Sequence, residues 1–274
     1  MPVISTNTAA NSALRYLNIN SDSQSTSVSK IASGSRITKA SDDAAGLAVG
    51  TSLQSDVTVL KQAATNAAHG SSILQTADGG MSRISDIVQR MRSLATQSQS
   101  GSVTDTERGY LDAEFQQLLE EVDGIASGTR FNDDPLLDGT GEWSTGVDFR
   151  VGTETTDKIT VTIANVNATG LGINGLDIGT STTDESTLTA LNTAVESLST
   201  ARADVGALIS RFEFRGEVLD TSIENTEAAQ SAIMDVDVAE EQTNLASTKV
   251  LTQAAIAVLS QANSMPEQLL SLLR

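Results

Sequence analysis

The sequence contains no cysteine, so it can build neither a disulfide framework nor a thiolate metal site. Aromatic side chains are scarce: five Phe, two Tyr and one Trp, with none between Tyr16 and Tyr110. That stretch must form its interior from Ala, Leu, Ile, Val and Met, which suits thin helical seams better than a thick globular core. Basic charge is also short, with 17 Lys and Arg against 35 Asp and Glu and a net charge of −18. Nucleic acid is therefore a poor partner, because phosphate binding needs clustered Lys and Arg. What basic charge exists gathers at the start, where Arg15, Lys30, Arg36 and Lys39 face Asp22 alone before residue 41. No apolar run approaches the roughly 18 residues of a membrane span. The opening Met1-Pro2-Val3-Ile4-Ser5-Thr6-Asn7 lacks the charged and apolar regions of a cleavable secretory signal. Composition alone reads as a soluble, cytoplasmic chain without a membrane partner.

What is present is a 3-4 apolar spacing in both outer thirds. Leu188, Leu191, Val195, Leu198, Val205, Ile209, Phe212, Leu219 and Ile223 follow it, with Arg202 and Gly216 off type. Leu251, Ala255, Val258, Ala262, Met265, Leu269 and Leu272 follow it without interruption. Such spacing keeps a narrow stripe on one side of a helix, the geometry of a coiled-coil seam. In the N-terminal third, Leu53, Val57, Leu60, Ala64, Ala67 and Leu74 form a seam with Ser71 as its polar exception. After a phase slip between Leu74 and Ala77, Met81, Ile84, Val88, Met91 and Ala95 resume it. A helix over about 43 to 98 would be roughly 84 Å long at about 1.5 Å per residue. Thr104-Asp105-Thr106-Glu107 matches a capping box and opens a following helix through Leu111, Phe115, Leu118, Val122 and Ile125. The extreme N-terminus is weaker, with Ala10, Leu14, Leu17, Val28 and Ile31 in phase but Ser21 and Gln24 between them. It needs a partner, and the Leu251 to Leu272 stripe is the candidate. Pro266 is expected to break or kink that last helix near Ser264.

Residues 131 to 182 differ in kind. Val147, Phe149 and Val151 alternate, as do Ile159, Val161 and Ile163, which predicts a β-hairpin with a longer loop. The expected fold is mainly α: a long α-helical coiled-coil rod with a small central β-hairpin region and both chain ends at one end.

No motif supports an active site or a cofactor. Gly170-Leu171-Gly172-Ile173-Asn174-Gly175 satisfies G-x-G-x-x-G, but Leu176-Asp177-Ile178-Gly179 is a poor helix start, so a glycine-rich loop is the better reading than a dinucleotide site. His69 has no second His or Cys for a triad or metal site. The acid pairs Asp42-Asp43, Glu120-Glu121 and Glu240-Glu241 read as solvated faces or caps, since adjacent helix residues do not face each other. Asn132-Asp133-Asp134 with Asp138-Gly139 lacks the EF-hand spacing and reads as a polar turn. Asn167-Ala168-Thr169 matches the N-glycosylation pattern, which is frequent by chance.

Both ends resemble bacterial flagellins. Ser33-Gly34-Ser35-Arg36-Ile37, Ser41-Asp42-Asp43-Ala44-Ala45-Gly46-Leu47-Ala48, Gln75-Thr76-Ala77-Asp78 and Gln89-Arg90-Met91-Arg92-Ser93-Leu94 resemble the N-terminal block of that family. Arg202-Ala203-Asp204-Val205-Gly206-Ala207, Arg211-Phe212-Glu213 and Gln261-Ala262-Asn263-Ser264-Met265-Pro266 to Arg274 resemble its C-terminal block. The resemblance implies a structural, non-enzymatic subunit of a homopolymeric flagellar filament serving motility, in a short form lacking outer variable domains. It implies terminal segments 1–40 and 236–274 lining an inner tube, with helices 41–130 and 183–235 and the 131–182 hairpin region around them. It replaces the cytoplasmic reading with an extracellular one, reached unfolded through type III export. The partners it implies are the flagellar export apparatus, an export chaperone, the filament cap and junction proteins, and a host innate immune receptor. Its receptor epitope maps onto Arg90, Leu94 and Glu114, with Ser93 where the family usually has Glu. The assembly seam is expected at Leu14, Leu17, Val28, Ile31, Leu251, Ala255, Val258, Ala262, Met265, Leu269 and Leu272. The second family reading is a hook-filament junction protein.

Overall fold

The computed structural model of the chain describes residues 6–180 and 184–272, and their side chains except those of Asp184 and residues 266–272. The helices are α1 (Thr8–Ser33), α2 (Ala44–Ser98), α3 (Asp105–Gly128), α4 (Asp184–Met234) and α5 (Val238–Leu272). Between α3 and α4 lie the short strands β1 (Arg130–Phe131) and β2 (Asp134–Pro135), a 3-10 turn over Glu142–Ser144, and β3 (Val147–Arg150) with β4 (Lys158–Val161). The chain is mainly α, as the apolar spacing predicts. It divides into two compact units, Met1–Asp56 with Asn225–Arg274, and Val57–Glu224. The division falls within α2 and within α4, so each contributes to both units.

In the unit Val57–Glu224, the buried face of α2 is one continuous 3-4 series through Ala63, Ala67, Gly70, Leu74, Ala77, Met81, Ile84, Val88, Met91, Ala95 and Ser98. This corrects the phase slip expected between Leu74 and Ala77. The stripe passes through Ala63 and Gly70, not Ala64 and Ser71. Gly70 is in register because its missing side chain makes room for Phe212 of α4; a Cβ there would lie 2.7 Å from the ring. Phe212 also meets Phe149 of β3 edge-on, with ring centroids 5.5 Å apart. Gly80, inside α2, is similarly tight, since a Cβ would meet Thr129 Oγ1 at 2.5 Å and Leu137 at 2.8 Å. Arg202, off type in the α4 stripe, donates through Nε to Asp78 of α2 at 2.8 Å. That hydrogen bond raises the guanidinium pKa further and keeps its charge off the apolar stripe.

The hairpin pairs β3 and β4 antiparallel, with Val147 opposite Val161 and Phe149 opposite Ile159. A second ribbon, β1 with β2, turns through Asn132 (φ 51°) and Asp133 (φ 67°). Two consecutive left-handed residues make the tight turn that matches strand twist, so the acidic run is a hairpin turn. The irregular strap that follows is fastened to α3. Asp123 accepts from Ala168 N at 2.7 Å, Gln116 donates to Leu176 O at 2.9 Å, and Asp112 accepts from Ile178 N at 3.1 Å. These side chains satisfy backbone groups that no sheet partner reaches.

The capping box at the start of α3 is present: Glu107 accepts from Thr104 N at 2.8 Å, and Thr104 Oγ1 accepts from Glu107 N. Bonds from the Thr104 backbone first, then its hydroxyl, hold the Glu107 carboxyl below its ordinary value of 4.5. A lowered folded pKa stabilises above the unfolded value, and that contribution disappears as pH falls through the folded one. Protection against hydrogen exchange at the first α3 amides should therefore fall below about pH 4.5 in excess of the rest of α3. In Glu107→Gln this excess should vanish, and its persistence would assign the effect to another group.

In the unit of the chain ends, the Ser33–Ile37 motif forms a corner. Gly34 (φ 72°) closes α1 in the left-handed conformation. Arg36 N donates to Met234 O at 2.6 Å, and Val236 N to Gly34 O at 3.1 Å. The Arg36 guanidinium donates to Ile233 O at 2.7 Å, and Ile37 is buried. Asp42 accepts from Thr38 N and Lys39 N, and Asp43 accepts from Gly46 N at 2.8 Å in the first turn of α2. The backbone bond from Lys39, then the Thr38 hydroxyl, hold the Asp42 carboxyl below its ordinary range.

Candidate assembly surface

Helices α1 and α5 run antiparallel, with Asn7 beside Ala262 and Lys30 beside Glu241. Their covered positions are heptad-spaced: Ala10, Ala13, Leu17, Asn20, Gln24, Ser27 and Ile31 on α1, and Glu241, Leu245, Thr248, Thr252, Ala255, Leu259 and Ala262 on α5. The buried members are Ala13, Ser27, Ala255 and Ala262, all small. The seam between the helices is thus poor in apolar volume and polar at its centre.

Many of the larger apolar side chains point elsewhere. Leu251, Val258 and Met265 recur at sevenfold spacing on one flank of α5, joined by Val250, and Val258 is 58% exposed. On α1, Leu14 and Val28 are exposed as well. The expected seam residues therefore separate into two groups. Leu17, Ile31, Ala255 and Ala262 lie on the α1–α5 contact face, whereas Leu14, Val28, Leu251, Val258 and Met265 lie outside it. Leu269 and Leu272 fall outside the described side chains.

Helix α5 continues through Pro266 to Leu272, which corrects the break expected near Ser264. Proline has no N–H for the carbonyl four residues earlier, that of Ala262. Asn7 Nδ2 donates to this oxygen at 2.7 Å, while Asn7 Oδ1 accepts from Ala10 N at 3.0 Å as the N-cap of α1. One side chain thus caps α1 and supplies the hydrogen bond that the proline withholds from α5. Asn7→Asp keeps the cap and loses the donor. It should cost about 1 to 3 kcal/mol of local stability and speed hydrogen exchange over the last turns of α5. Pro266→Ala should remove most of that defect by restoring the backbone donor; an equal defect in both backgrounds would assign Asn7 a capping role alone.

Arg90 and Glu114 form an ion pair at 2.6 Å between α2 and α3. Leu94, the third residue of the epitope carried over from the resemblance, is 1% exposed and belongs to the core. It supports the surface from beneath and offers none of its own. His69 packs its ring against Phe131 at 5.1 Å. In the glycine-rich loop, Leu171 and Ile173 are buried, Gly172 and Gly175 take positive φ, and among the described residues the next helix begins at Asp184. Asn167 of the glycosylation-like triplet holds this loop, accepting from Gly170 N at 2.7 Å and donating to Asp138 O at 3.1 Å.

Residues 4–142 match the bacterial flagellin N-terminal helical region, and residues 188–273 match the bacterial flagellin C-terminal helical region. The chain is similar to a flagellin of Halalkalibacterium halodurans, at 36% identity over 99% of this chain and 100% of the relative. It is similar to a flagellin of Bacillus subtilis at 34%, over 99% of each chain. The flagellar filament 33 kDa core protein of Treponema phagedenis is 33% identical, over 99% of this chain and 100% of the relative. Among solved structures, the crystal structure of Bacillus cereus flagellin superposes with a TM-score of 0.51 at 30% identity, covering 56% of this chain and 88% of that one. A flagellar hook-associated protein from Vibrio parahaemolyticus shares the fold at 13% identity and a TM-score of 0.59, over 71% of this chain and all of the other. With both terminal regions matched and relatives aligned from end to end, the chain belongs to the bacterial flagellins.

Proposed function

We propose that this chain builds the flagellar filament by packing the outward apolar flanks of α1 and α5 against the same helices of neighbouring copies. The observation that carries this reading is the inversion of the terminal pair. The most buried positions between α1 and α5 are Ala13, Ser27, Ala255 and Ala262, with Leu17, Ile31, Leu245 and Leu259 only half-buried there, while Leu14, Val28, Leu251, Val258 and Met265 face outward. A seam of that composition stabilises the isolated pair weakly, and burying the outer side chains contributes roughly 1.5 to 3 kcal/mol each. Ordering and assembly are then one event, driven by surface that a single copy leaves in water. Contacts of this kind join unlike faces and do not close, so they grow an open helical polymer.

In this reading segments 1–40 and 236–274 form the inner tube, and the 41–130 and 183–235 helices with the 131–182 region surround it. Type III export of the unfolded chain, a chaperone that covers the apolar ends beforehand, and contacts with cap and junction proteins follow from the same assignment. The Arg90–Glu114 pair is the exposed part of the receptor epitope. A filament subunit is favoured over a junction protein, because flagellin relatives of matching length span the chain from end to end.

The test is electron microscopy of the purified chain after addition of short filament seeds. Seeds should lengthen until the free chain falls to a fixed residual concentration. A chain that stays dispersed at millimolar concentration beside intact seeds is not a filament subunit.

A further inference from the structure

Asparagine followed by glycine occurs once in the chain, at Asn174-Gly175 in the strap fastened to α3. Such a pair carries a reaction of its own. The backbone nitrogen after an asparagine can attack the side-chain amide carbon and close a five-membered imide. Glycine permits this most readily, because it lacks the Cβ that crowds the approach and it turns freely. In a folded chain the reaction is governed by what already holds those two groups.

Here they are held loosely. Asn174 and Gly175 are both exposed. Among the described residues the Gly175 N–H has no hydrogen-bond partner, so its nitrogen is uncommitted. A Cβ built on Gly175 would meet nothing within 4 Å, and no neighbour screens that side of the turn. The Asn174 side chain makes one contact, from Nδ2 to Thr169 Oγ1 at 3.4 Å. Leu176 N closes the turn by donating to Ile173 O at 3.4 Å, longer than an ordinary amide hydrogen bond and correspondingly easy to open.

The nearby asparagines are guarded where Asn174 is not. Asn165 is followed by Val166, whose N–H donates to Leu137 O at 3.0 Å. Asn167 is followed by Ala168, whose N–H donates to Asp123 at 2.7 Å, and its own side chain is fixed by Gly170 N and Asp138 O. In both, the attacking nitrogen is tied into the fold. Asparagines inside the helices precede amides committed to the helical ladder. Asn132, exposed in the β1–β2 turn, precedes Asp133, whose side chain crowds the attack.

We propose that Asn174 is a self-modifying site, which deamidates in the folded chain without an enzyme and thereby loosens the strap from α3. The Gly175 nitrogen bonds to Asn174 Cγ and gives its proton to hydroxide. The bond from Cγ to Nδ2 breaks, and that nitrogen takes a proton from water and leaves as ammonia. Water, the co-reactant, then opens the imide at either carbonyl. Opening at Cγ leaves aspartate; opening at the main-chain carbonyl leaves isoaspartate, with one more carbon in the main chain. No redox change occurs, and both products add a carboxylate three residues from Asp177. The added carbon falls between fixed points. Ile173 and Ile178 are fully buried, Asn174 N donates to Ala168 O at 3.1 Å, and Leu176 O accepts from Gln116 at 2.9 Å. A lengthened segment cannot satisfy all of them, and the long Leu176–Ile173 bond is the first to go.

The sequence supplies internal controls. No Lys or Arg lies between Lys158 and Arg202, so trypsin releases residues 159–202 as one peptide carrying Asn165, Asn167 and Asn192 beside Asn174. The full chain is aged in mildly alkaline buffer at a temperature where its helix content holds, and the peptide is followed by mass spectrometry that separates aspartate from isoaspartate. Both acids should accumulate at position 174 roughly tenfold or more ahead of the other three sites, with isoaspartate in excess and a rate that rises with pH. Gly175→Ala should slow the reaction, and Asn174→Gln, which cannot close the five-membered ring, should form no acid there. A rate at 174 no greater than at Asn165, or about a hundredfold below that of a free peptide of the same local sequence, means that the fold guards this bond and overturns the proposal. Acid without isoaspartate means direct hydrolysis and overturns it as well. In the aged chain the Leu176 and Ile178 amides should exchange hydrogen faster than in fresh chain, with no such change in aged Asn174→Gln; unchanged protection in the aged wild type overturns the loosening. None of these outcomes depends on whether the chain extends filament seeds.

Discussion

Val258→Asp should leave the dispersed chain with wild-type helix content and abolish its addition to filament seeds. The two halves of this expectation come from one observation: Val258 is 58% exposed in the single chain and lies on the apolar flank with Leu251 and Met265. In the free chain the carboxylate stays hydrated and costs little. On assembly it must be desolvated with no cation opposite it on α5, where Lys249 is the single basic residue among the described side chains. The cheapest escape is protonation, which at pH 7 costs about 4 kcal/mol for an ordinary Asp pKa near 3.9. That amounts to roughly a thousandfold rise in the free concentration needed for growth. Val258→Asn carries no charge and should impair growth less. Seeds that lengthen with Val258→Asp at the wild-type rate would show that this flank faces solvent in the filament. Ala255→Asp makes a useful contrast, because Ala255 is in the α1–α5 contact and its replacement should disturb the single chain as well.

Phe212→Ala is expected to cost the unit Val57–Glu224 about 3 to 5 kcal/mol. Phe212 is among the fully buried side chains. It fills the notch at Gly70 and meets Phe149 edge-on, so its removal opens a cavity touching α2, α4 and β3 together. Surrounding helices cannot close that space, because Gly70 has no side chain to move into it. Gly70→Ala should cost about 1 to 3 kcal/mol alone by overpacking against the ring. In the Phe212→Ala background the added methyl meets no ring and its penalty should largely vanish. Thermal or denaturant unfolding of the four chains in this cycle measures the coupling; strictly additive losses would mean the two positions do not press on each other.

The same pair explains why part of the fold could be read from sequence and part could not. Apolar spacing locates the five helices of the described residues and the Val147–Val161 hairpin, and the Thr104-to-Glu107 motif locates the capping box, because each rests on side chains whose chemistry is visible in the letter code. It misreads the stripe on α2, since Gly70 joins the core by lacking a side chain and Ser71 beside it looks like the interruption. The terminal helices mislead for the opposite reason. Large apolar residues are expected inward, yet Leu14, Val28, Leu251 and Val258 face out, and the most buried inner positions are Ala13, Ser27, Ala255 and Ala262. No pattern within one chain can separate a seam with its own partner from a seam reserved for another copy. Pro266 is read as a break because the donor that compensates it, Asn7, is remote in sequence. Arg202 is off type only until Asp78 is seen across the helix pair. Among the epitope residues, Leu94 lies one turn after Arg90 but also borders the buried series at Met91, Ala95 and Ser98, and it is 1% exposed.

Gly70 and Gly80 also bear on how α2 responds to force. Each is a recess occupied from the side, one by Phe212 and the other by Thr129 and Leu137. Sliding α2 by a single turn would carry a bulkier residue into each recess at once, so tension or torque along the helix cannot be relieved by slippage. The unit Val57–Glu224 is keyed against shear, a property suited to a filament subunit that must transmit load along its length.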